Sequence, residues 1–461
     1  ALNLVAEKFS EIKEKFGPDS LGALSSSRCT NEENFLMSKL ARAVFGTNNV
    51  DNCARVCHAP SVTGLAACFG SGAATNSFDQ IEDADVLFII GSNTTEAHPI
   101  VSLKIIKAAS KGTKIIVADP RKIELVDRAA VWLNLKPGTN IALLNAMMNV
   151  ILSEGLEDRD FIASRTEGFE EFRKTVMEYS PERASKITGV PAEDIIAAAR
   201  LYGQAGKAMI IYSLGMTEHI TGTANVMSLG NLAMLTGNVG CRSTGVMPLR
   251  GQNNVQGACD MGALPNVHVG YQPVADASIR SKFEEAWQVK LPANIGLTST
   301  QMLEGDQESK IRALYILGED PAQTDPDTNR VRTSLEALDF LVVQEIFPTE
   351  TTKYADVIFP AASFAECDGT FTNGERRIQR VNNAIPPICG LENWQTICLI
   401  AQKMGYSMKY NNPSEIMDEI AALAPMFAGV SFSRLGSRGL QWPCPCLGHP
   451  GPETMHVDKF S

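Results

Sequence analysis

The sequence predicts an α/β protein with two nucleotide-binding domains on parallel sheets and a smaller irregular segment. Three observations predict it. Between Ala84 and Leu135 the chain alternates the apolar strand ADVLFII, a helix from Pro99 to Ser110, the strand TKIIVAD and a further strand AVWLNLK. The same order returns in ALYILGEDPAQTDP, a helix from Asn329 to Leu338, and DFLVVQEIF. The two units also match in detail. In each, the first strand ends on a glycine (Gly91 or Gly318), polar residues and a proline follow, and the second strand ends on an acid (Asp119 or Glu345), 28 and 27 residues further on.

The opening stretch ALNLVAEKFSEIKEKFG spaces Leu2, Val5, Phe9 and Ile12 as one face of a helix, which suits an amphipathic helix and not a secretion signal. After the first α/β unit come two helices, NIALLNAMMNVILSEG and PAEDIIAAARLYGQAG, each with apolar residues at i, i+3 and i+4 and a closing glycine. The strand AMIIYSLG then returns to the sheet. From Ala365 onward the pattern becomes irregular, with amphipathic helices at 393–404 and 413–424 and a tail, WPCPCLGHPGPE, that reads as loop. A chain of 461 residues can bury more than one core. The expected domains are residues 1–52 with 253–364 as a discontinuous α/β domain, 53–252 as a second, and 365–461 as the smaller segment.

Charge and cysteine usage narrow the function. With 41 Lys plus Arg against 52 Asp plus Glu, the net charge of -11 disfavours nucleic acid and anionic membrane as partners. The longest apolar runs have strand length, so no membrane span is expected. Eleven cysteines, without CxxC or a four-cysteine cluster, suit a reducing compartment and point to a cytoplasmic protein.

Two stretches can carry chemistry. In NCARVCHAPSVTG, Cys57 and His58 are adjacent. As a thiolate Cys57 is a soft ligand for a heavy transition metal or a nucleophile, and His58 can take a proton near neutral pH. The same pair also suits a buried thiol beside a satisfied histidine, and Cys53 one turn earlier reads as core. In GVMPLRGQNNVQGACDMGALPN, the amides Gln252, Asn253, Asn254 and Gln256, with Asp260, follow Arg250, whose guanidinium offers a fork for carboxylate or phosphate. With little hydrophobic periodicity, this run is expected to lie outside the core. The glycine-to-acid echo suits one nucleotide per unit, phosphate at the glycine turn and ribose or base at the acid, although neither unit has GxGxxG. Arg376, Arg377 and Arg380 suit a salt-bridged strand better than a phosphate site, and Cys444, Cys446 and His449 lack the spacing of a metal site.

At the two chemical motifs, and over essentially all of its length, the chain resembles the formate dehydrogenase branch of the molybdopterin oxidoreductases. VCHAPS matches the branch's metal-ligating cysteine and following histidine, and RGQNNVQGACDMGALP matches the segment that carries its substrate arginine. The resemblance implies Cys57 as ligand of molybdenum or tungsten, His58 and Arg250 as catalytic partners, and two molybdopterin guanine dinucleotides, one per α/β unit. Matched residue by residue, it implies cofactor contacts at Gly91, Asn93, Glu96, Asp119, Arg121, Lys136 and Gly138 in one unit. Gly318, Glu319, Asp320, Gln344 and Glu345 are the positions in the other, with Gly215, Met216 and Gln252 as further pterin contacts. The family's cluster motif for a 4Fe-4S centre and its C-terminal barrel have no counterpart here, so this sequence is expected to be the middle of a larger subunit. The implied reaction is reversible oxidation of formate to carbon dioxide, with electrons passing to an iron-sulfur or flavin subunit or a hydrogenase. Rival readings are a nitrate reductase, in which His does not follow the cysteine, a formylmethanofuran dehydrogenase, and a scaffold that has lost its cofactor.

Overall fold

The computed structural model describes residues 1–304 and 311–460. In chain order its parallel strands are β1 (Leu21–Ser25), β2 (Val50–Asn52), β3 (Val86–Ile90), β4 (Lys114–Ala118), β5 (Val131–Leu133), β6 (Ala208–Tyr212), β7 (Gly245–Pro248), β8 (Ala313–Leu317), β9 (Phe340–Glu345) and β10 (Val357–Pro360). The chain divides into two compact units, Ala1–Val56 with Gln252–Pro452, and Cys57–Gly251 with Glu453–Ser461.

The second unit is built on a parallel sheet of order β5-β4-β3-β6-β7. Its strands are apolar on both faces because helices cover both. Phe88, Ile90, Ile116 and Ile210 belong to one buried cluster, while Leu87, Ile89, Ile115, Val117 and Ile211 belong to another. The chain leaves β3 towards β4 on one side and reaches β6 on the other, so the order reverses between β3 and β6. At that reversal helices depart to opposite faces and a crevice opens beyond the carboxyl ends of the strands. Gly91 follows β3 with φ +58, and its carbonyl accepts the Gly215 N–H at 3.0 Å.

The first unit has the same pattern in a different chain order, β10-β9-β8-β1-β2. Its reversal lies between β8 and β1, where Gly318, with φ +62, accepts a hydrogen bond from Ser26 Oγ at 2.8 Å. The strands β1, β2, β7 and β10 were not foreseen. Three are only three or four residues long, and β7 lies in the stretch expected outside the core, yet all four of its residues are buried. That expectation fails further along as well. Val255–Asp260 is a helix with every residue buried. Asn254 donates to the Cys29 carbonyl at 2.7 Å and accepts from Thr372 N at 2.7 Å, while Gln256 and Tyr271 both bond Asp260.

Residues 365–461, expected as a separate segment, divide between the units. Up to Pro452 they join the first, which includes a small antiparallel sheet of Gly369–Thr372, Arg377–Val381 and Leu440–Gln441. Buried Glu32 holds it in place by accepting from Thr370 N and Oγ1, each at 2.8 Å. From Glu453 the chain belongs to the second unit, where Phe460 stacks on Phe69 at 5.4 Å. The arginine run is internal: Arg376 is fully buried against Trp442, Arg377 pairs with Glu375 and Arg380 with Asp368. Among the described residues no helix is long and apolar enough to cross a membrane.

The first unit also contains a buried cation with no acidic partner among the described residues. Arg42 donates to Asn48 Oδ1 (2.9 Å), to the carbonyls of Gly262 (2.8 Å), Leu264 (2.6 Å) and Val267 (2.8 Å), and to Ser38 Oγ. Burial pushes its pKa down to about 9. A guanidinium bonded only to neutral acceptors acts as a clamp on residues 262–267. Arg42→Met keeps the length and strands three buried carbonyls, so it should destabilise this unit by about 3 kcal/mol or more. Urea unfolding followed by tryptophan fluorescence reports it, because Trp287, Trp394 and Trp442 all lie in this unit. An unchanged midpoint would contradict the clamp.

Candidate active site

Cys57 ends the short helix Ala54–Cys57, and His58 caps the next helix, Ala59–Phe69, which has a proline in its first turn. This junction turns the chain and leaves the thiol half-buried, outside any disulfide. His58 is completely buried, with Nδ1 at 2.9 Å from Ser61 Oγ, and Ser61 in turn accepts the Tyr212 hydroxyl at 2.9 Å. Burial, reinforced by the Arg250 charge, pushes the His58 imidazole down to about 3, a shift the Leu249 backbone partly opposes. The two sequence motifs therefore meet: Arg250 follows β7, close enough to act on both His58 and Tyr212.

Arg250 is 6% exposed and has one fixed contact, Nη2 to the Gly72 carbonyl at 2.9 Å. Among the described residues its Nε and Nη1 are buried without a hydrogen-bond partner. Leaving such donors unpaired costs about 1–3 kcal/mol each, more when charged, which favours a site that an anionic ligand completes.

In the same unit a pocket of about 340 Å³ opens at the sheet reversal. Gly91, Asn93, Asp119, Arg121 and Gly215 line it, together with Ser92, Asn140, Ser213 and His219. Glu96, Lys136 and Gly138 are exposed and outside that lining, and Met216 is buried in the core. Gly91 and Gly215 bring two backbones into direct contact, since a Cβ on Gly91 would stand 2.7 Å from the Gly215 carbonyl carbon. Asp119 is fixed by accepting the Arg121 N–H at 2.8 Å.

The positions expected in the first unit differ in how far they are already engaged. Asp320 accepts from Thr351 N (2.8 Å) and Oγ1 (2.7 Å), and Gln344 accepts from Tyr315 and donates to Asn393 at 3.1 Å. Gln252 accepts from Cys53 Sγ at 2.9 Å, so Cys53 is a hydrogen-bonded thiol and not simply core. Glu319 keeps an unpartnered buried Oε1, and burial pushes its carboxyl up to about 7. Burial also raises Glu345. Cys444 donates to the Gln441 carbonyl and His449 accepts from Gly451, both within local turns.

A family model for molybdopterin oxidoreductases matches residues 1–403. The chain belongs to the molybdopterin oxidoreductase family. Over its whole length it is 50% identical to an F420-dependent formate dehydrogenase subunit alpha of Methanocaldococcus jannaschii and 51% identical to formate dehydrogenase H of Escherichia coli. It spans 68% and 65% of those two proteins. The solved acetylene hydratase of Pelobacter acetylenicus superimposes with a TM-score of 0.74 at 20% identity, covering 94% of this chain and 62% of that one, which establishes the shared fold.

Family membership implies a molybdopterin-bound molybdenum or tungsten centre. The residues present fit it: a half-buried thiol directly precedes His58, which lies within reach of the Arg250 charge and its unpartnered nitrogens, and the glycine-walled pocket lies where an α/β sheet receives a nucleotide. The sequence had not singled out Ser61, Tyr212 or His98. Ser61 stands one turn after His58, and His98 lies within GSNTTEAHP, but Tyr212 looks like any core aromatic.

Glu319 generates a pH prediction. The unfolded carboxyl releases its proton near 4.5 and the folded one near 7, so the native state binds more protons in between and stability falls as pH rises through that window. Glu319→Gln should flatten part of the fall between about pH 5 and 7, while other buried acids, among them Asp325, pushed up to about 6, and Glu32, pushed up to about 8, keep contributing. Urea midpoints at four pH values measure it; equal slopes in both proteins would exclude Glu319 as a source.

Proposed function

We propose that this chain is the catalytic part of a formate dehydrogenase, which oxidises formate reversibly to carbon dioxide by two electrons at a molybdenum or tungsten centre held by two molybdopterin guanine dinucleotides. The observation that carries this reading is the cluster of Cys57, His58 and Arg250, in which a buried guanidinium keeps two nitrogens without partners. The relatives at about half identity bear formate dehydrogenase names, which supports the same substrate. When bound, the metal centre supplies the two-electron redox chemistry.

The protein's own residues then have distinct tasks. Cys57 is the protein ligand to the metal, and Arg250 receives the formate carboxylate on Nε and Nη1 and orients its C–H bond. His58, buried and neutral, presents a ring nitrogen that hydrogen-bonds the substrate. The pocket of the second unit holds one guanine dinucleotide, with Gly91 and Gly215 admitting phosphate close to backbone and Asp119 addressing ribose or base. The second dinucleotide belongs to the corresponding crevice of the first unit, around Gly318 and Glu319. Electrons leave to an electron-transfer subunit, and the complex is cytoplasmic.

Metal analysis by inductively coupled plasma mass spectrometry, with pterin fluorescence after oxidative release, should find molybdenum or tungsten and pterin in the purified holoenzyme at a ratio of about one to two. Metal without pterin, or neither in an active preparation, defeats the proposal. Arg250→Lys should raise the formate KM by at least about tenfold with cofactor content unchanged, because an ammonium loses the planar grip on carboxylate. An unchanged KM would remove Arg250 from the substrate site.

A further inference from the structure

Arg250 has a four-torsion side chain, and its placement depends on what fixes each end. The guanidinium end rests on the Gly72 carbonyl. Gly72 packs closely on the helix that follows His58, since a Cβ there would meet Val62 backbone at 2.7 Å. The backbone end has a separate anchor. Leu249 is bound through its N–H to the Tyr212 carbonyl and through its carbonyl to Ser213 Oγ, each at 2.8 Å. The carbonyl of Arg250 is met by His98 Nε2 at 2.9 Å.

A carbonyl can only accept, so Nε2 of His98 is the nitrogen that carries hydrogen. Nδ1 is buried without a partner, and burial lowers the imidazole pKa, so the ring is the neutral Nε2–H tautomer. His98 is well placed to hold a fixed position. Its N–H closes the turn Thr94–Ala97 by bonding the Thr94 carbonyl, and its own carbonyl accepts from Ser102 in the first turn of Pro99–Ser110, both at 2.9 Å. The segment it ends begins at Gly91, and Gly91, Ser92, Asn93 and Ala97 line the pocket at the sheet reversal.

We infer that His98 is a positioning residue for Arg250: its Nε2–H fixes the Arg250 carbonyl, so that the guanidinium is pinned at both ends before substrate arrives. The inference rests on the assignment of Arg250 to the substrate anion. It also ties the segment lining the pocket to the residue that receives formate, through one hydrogen bond.

The test uses the cofactor-loaded holoenzyme with two variants. His98→Phe keeps a ring and removes the donor, and His98→Gln restores an amide N–H at similar reach. Loss of one hydrogen bond to a buried carbonyl should raise the formate KM about tenfold in His98→Phe, with kcat within about threefold and metal content unchanged. His98→Gln should return the KM to within about threefold of the unsubstituted enzyme. In an Arg250→Lys background His98→Phe should add little, because the two changes act on one interaction. A lower melting temperature with an unmoved KM would make His98 merely structural and overturn the inference. So would full additivity with Arg250→Lys. If the unsubstituted, metal-replete enzyme does not oxidise formate, the functional reading fails separately. The crystal structure of His98→Phe then decides the positioning role: loss of the Arg250–Gly72 contact supports it, and an unchanged guanidinium overturns it.

Discussion

Backbone packed against backbone at the end of β3 is the constraint on which the second unit depends. Gly91 and Gly215 share a hydrogen bond of 3.0 Å, and neither has room for a side chain. With those two residues in contact, the loops leaving β3 and β6 run side by side before diverging, and the crevice between them is walled by main chain. Everything beyond follows from where those loops go. One carries Asn93 and His98, the other carries Ser213 towards Leu249, and between them they set the direction in which Arg250 leaves β7.

The first unit meets the same topological problem with different chemistry. Its reversal is closed by Ser26 bonding the Gly318 carbonyl, not by a glycine pair, and buried polar side chains elsewhere in the unit bond one another. Glu32, Asn31, Asn254, Thr370 and Thr372 bond one another across segments distant in sequence. Arg42 does the same for the carbonyls around Gly262. Such networks contribute little net energy per bond, but they are costly to break, so they fix one arrangement of an otherwise irregular region.

Much of this was legible in the sequence because it is written as period and spacing. The long apolar strands β3, β4, β6, β8 and β9, the helix Pro99–Ser110, and the glycine-to-acid echo all lie where the patterns put them. The meeting of Cys57 and His58 with Arg250 was legible only through resemblance, since nothing in local spacing connects residues nearly two hundred positions apart. Buried polar chain hid the remainder. The run after Arg250 looked like surface because its amides were counted as solvent-facing, whereas Asn254 and Gln256 spend them on carbonyls, hydroxyls and one acid inside the unit. His98 escaped notice for a related reason: its partner is a main-chain carbonyl, which every residue possesses and no sequence displays.

The interleaving of the two units has a consequence for how the chain acquires its shape. β1 pairs with β8 through Leu21↔Ala313 and with β2, while β9 and β10 come later still. In synthesis order β1 and β2 precede the segment Cys57–Gly251 that builds most of the second unit, and the central strand β8 of their sheet emerges only after it. The second unit's sheet is complete once β7 is made, while its segment from Glu453 joins only after the strands of the first unit have been synthesised. The long separation in sequence of β1 from β8 makes the loop closure that pairs them entropically expensive. An exposed parallel edge held open for that interval is an aggregation hazard, so translation speed and chaperone access during the middle of synthesis bear directly on the yield of native protein.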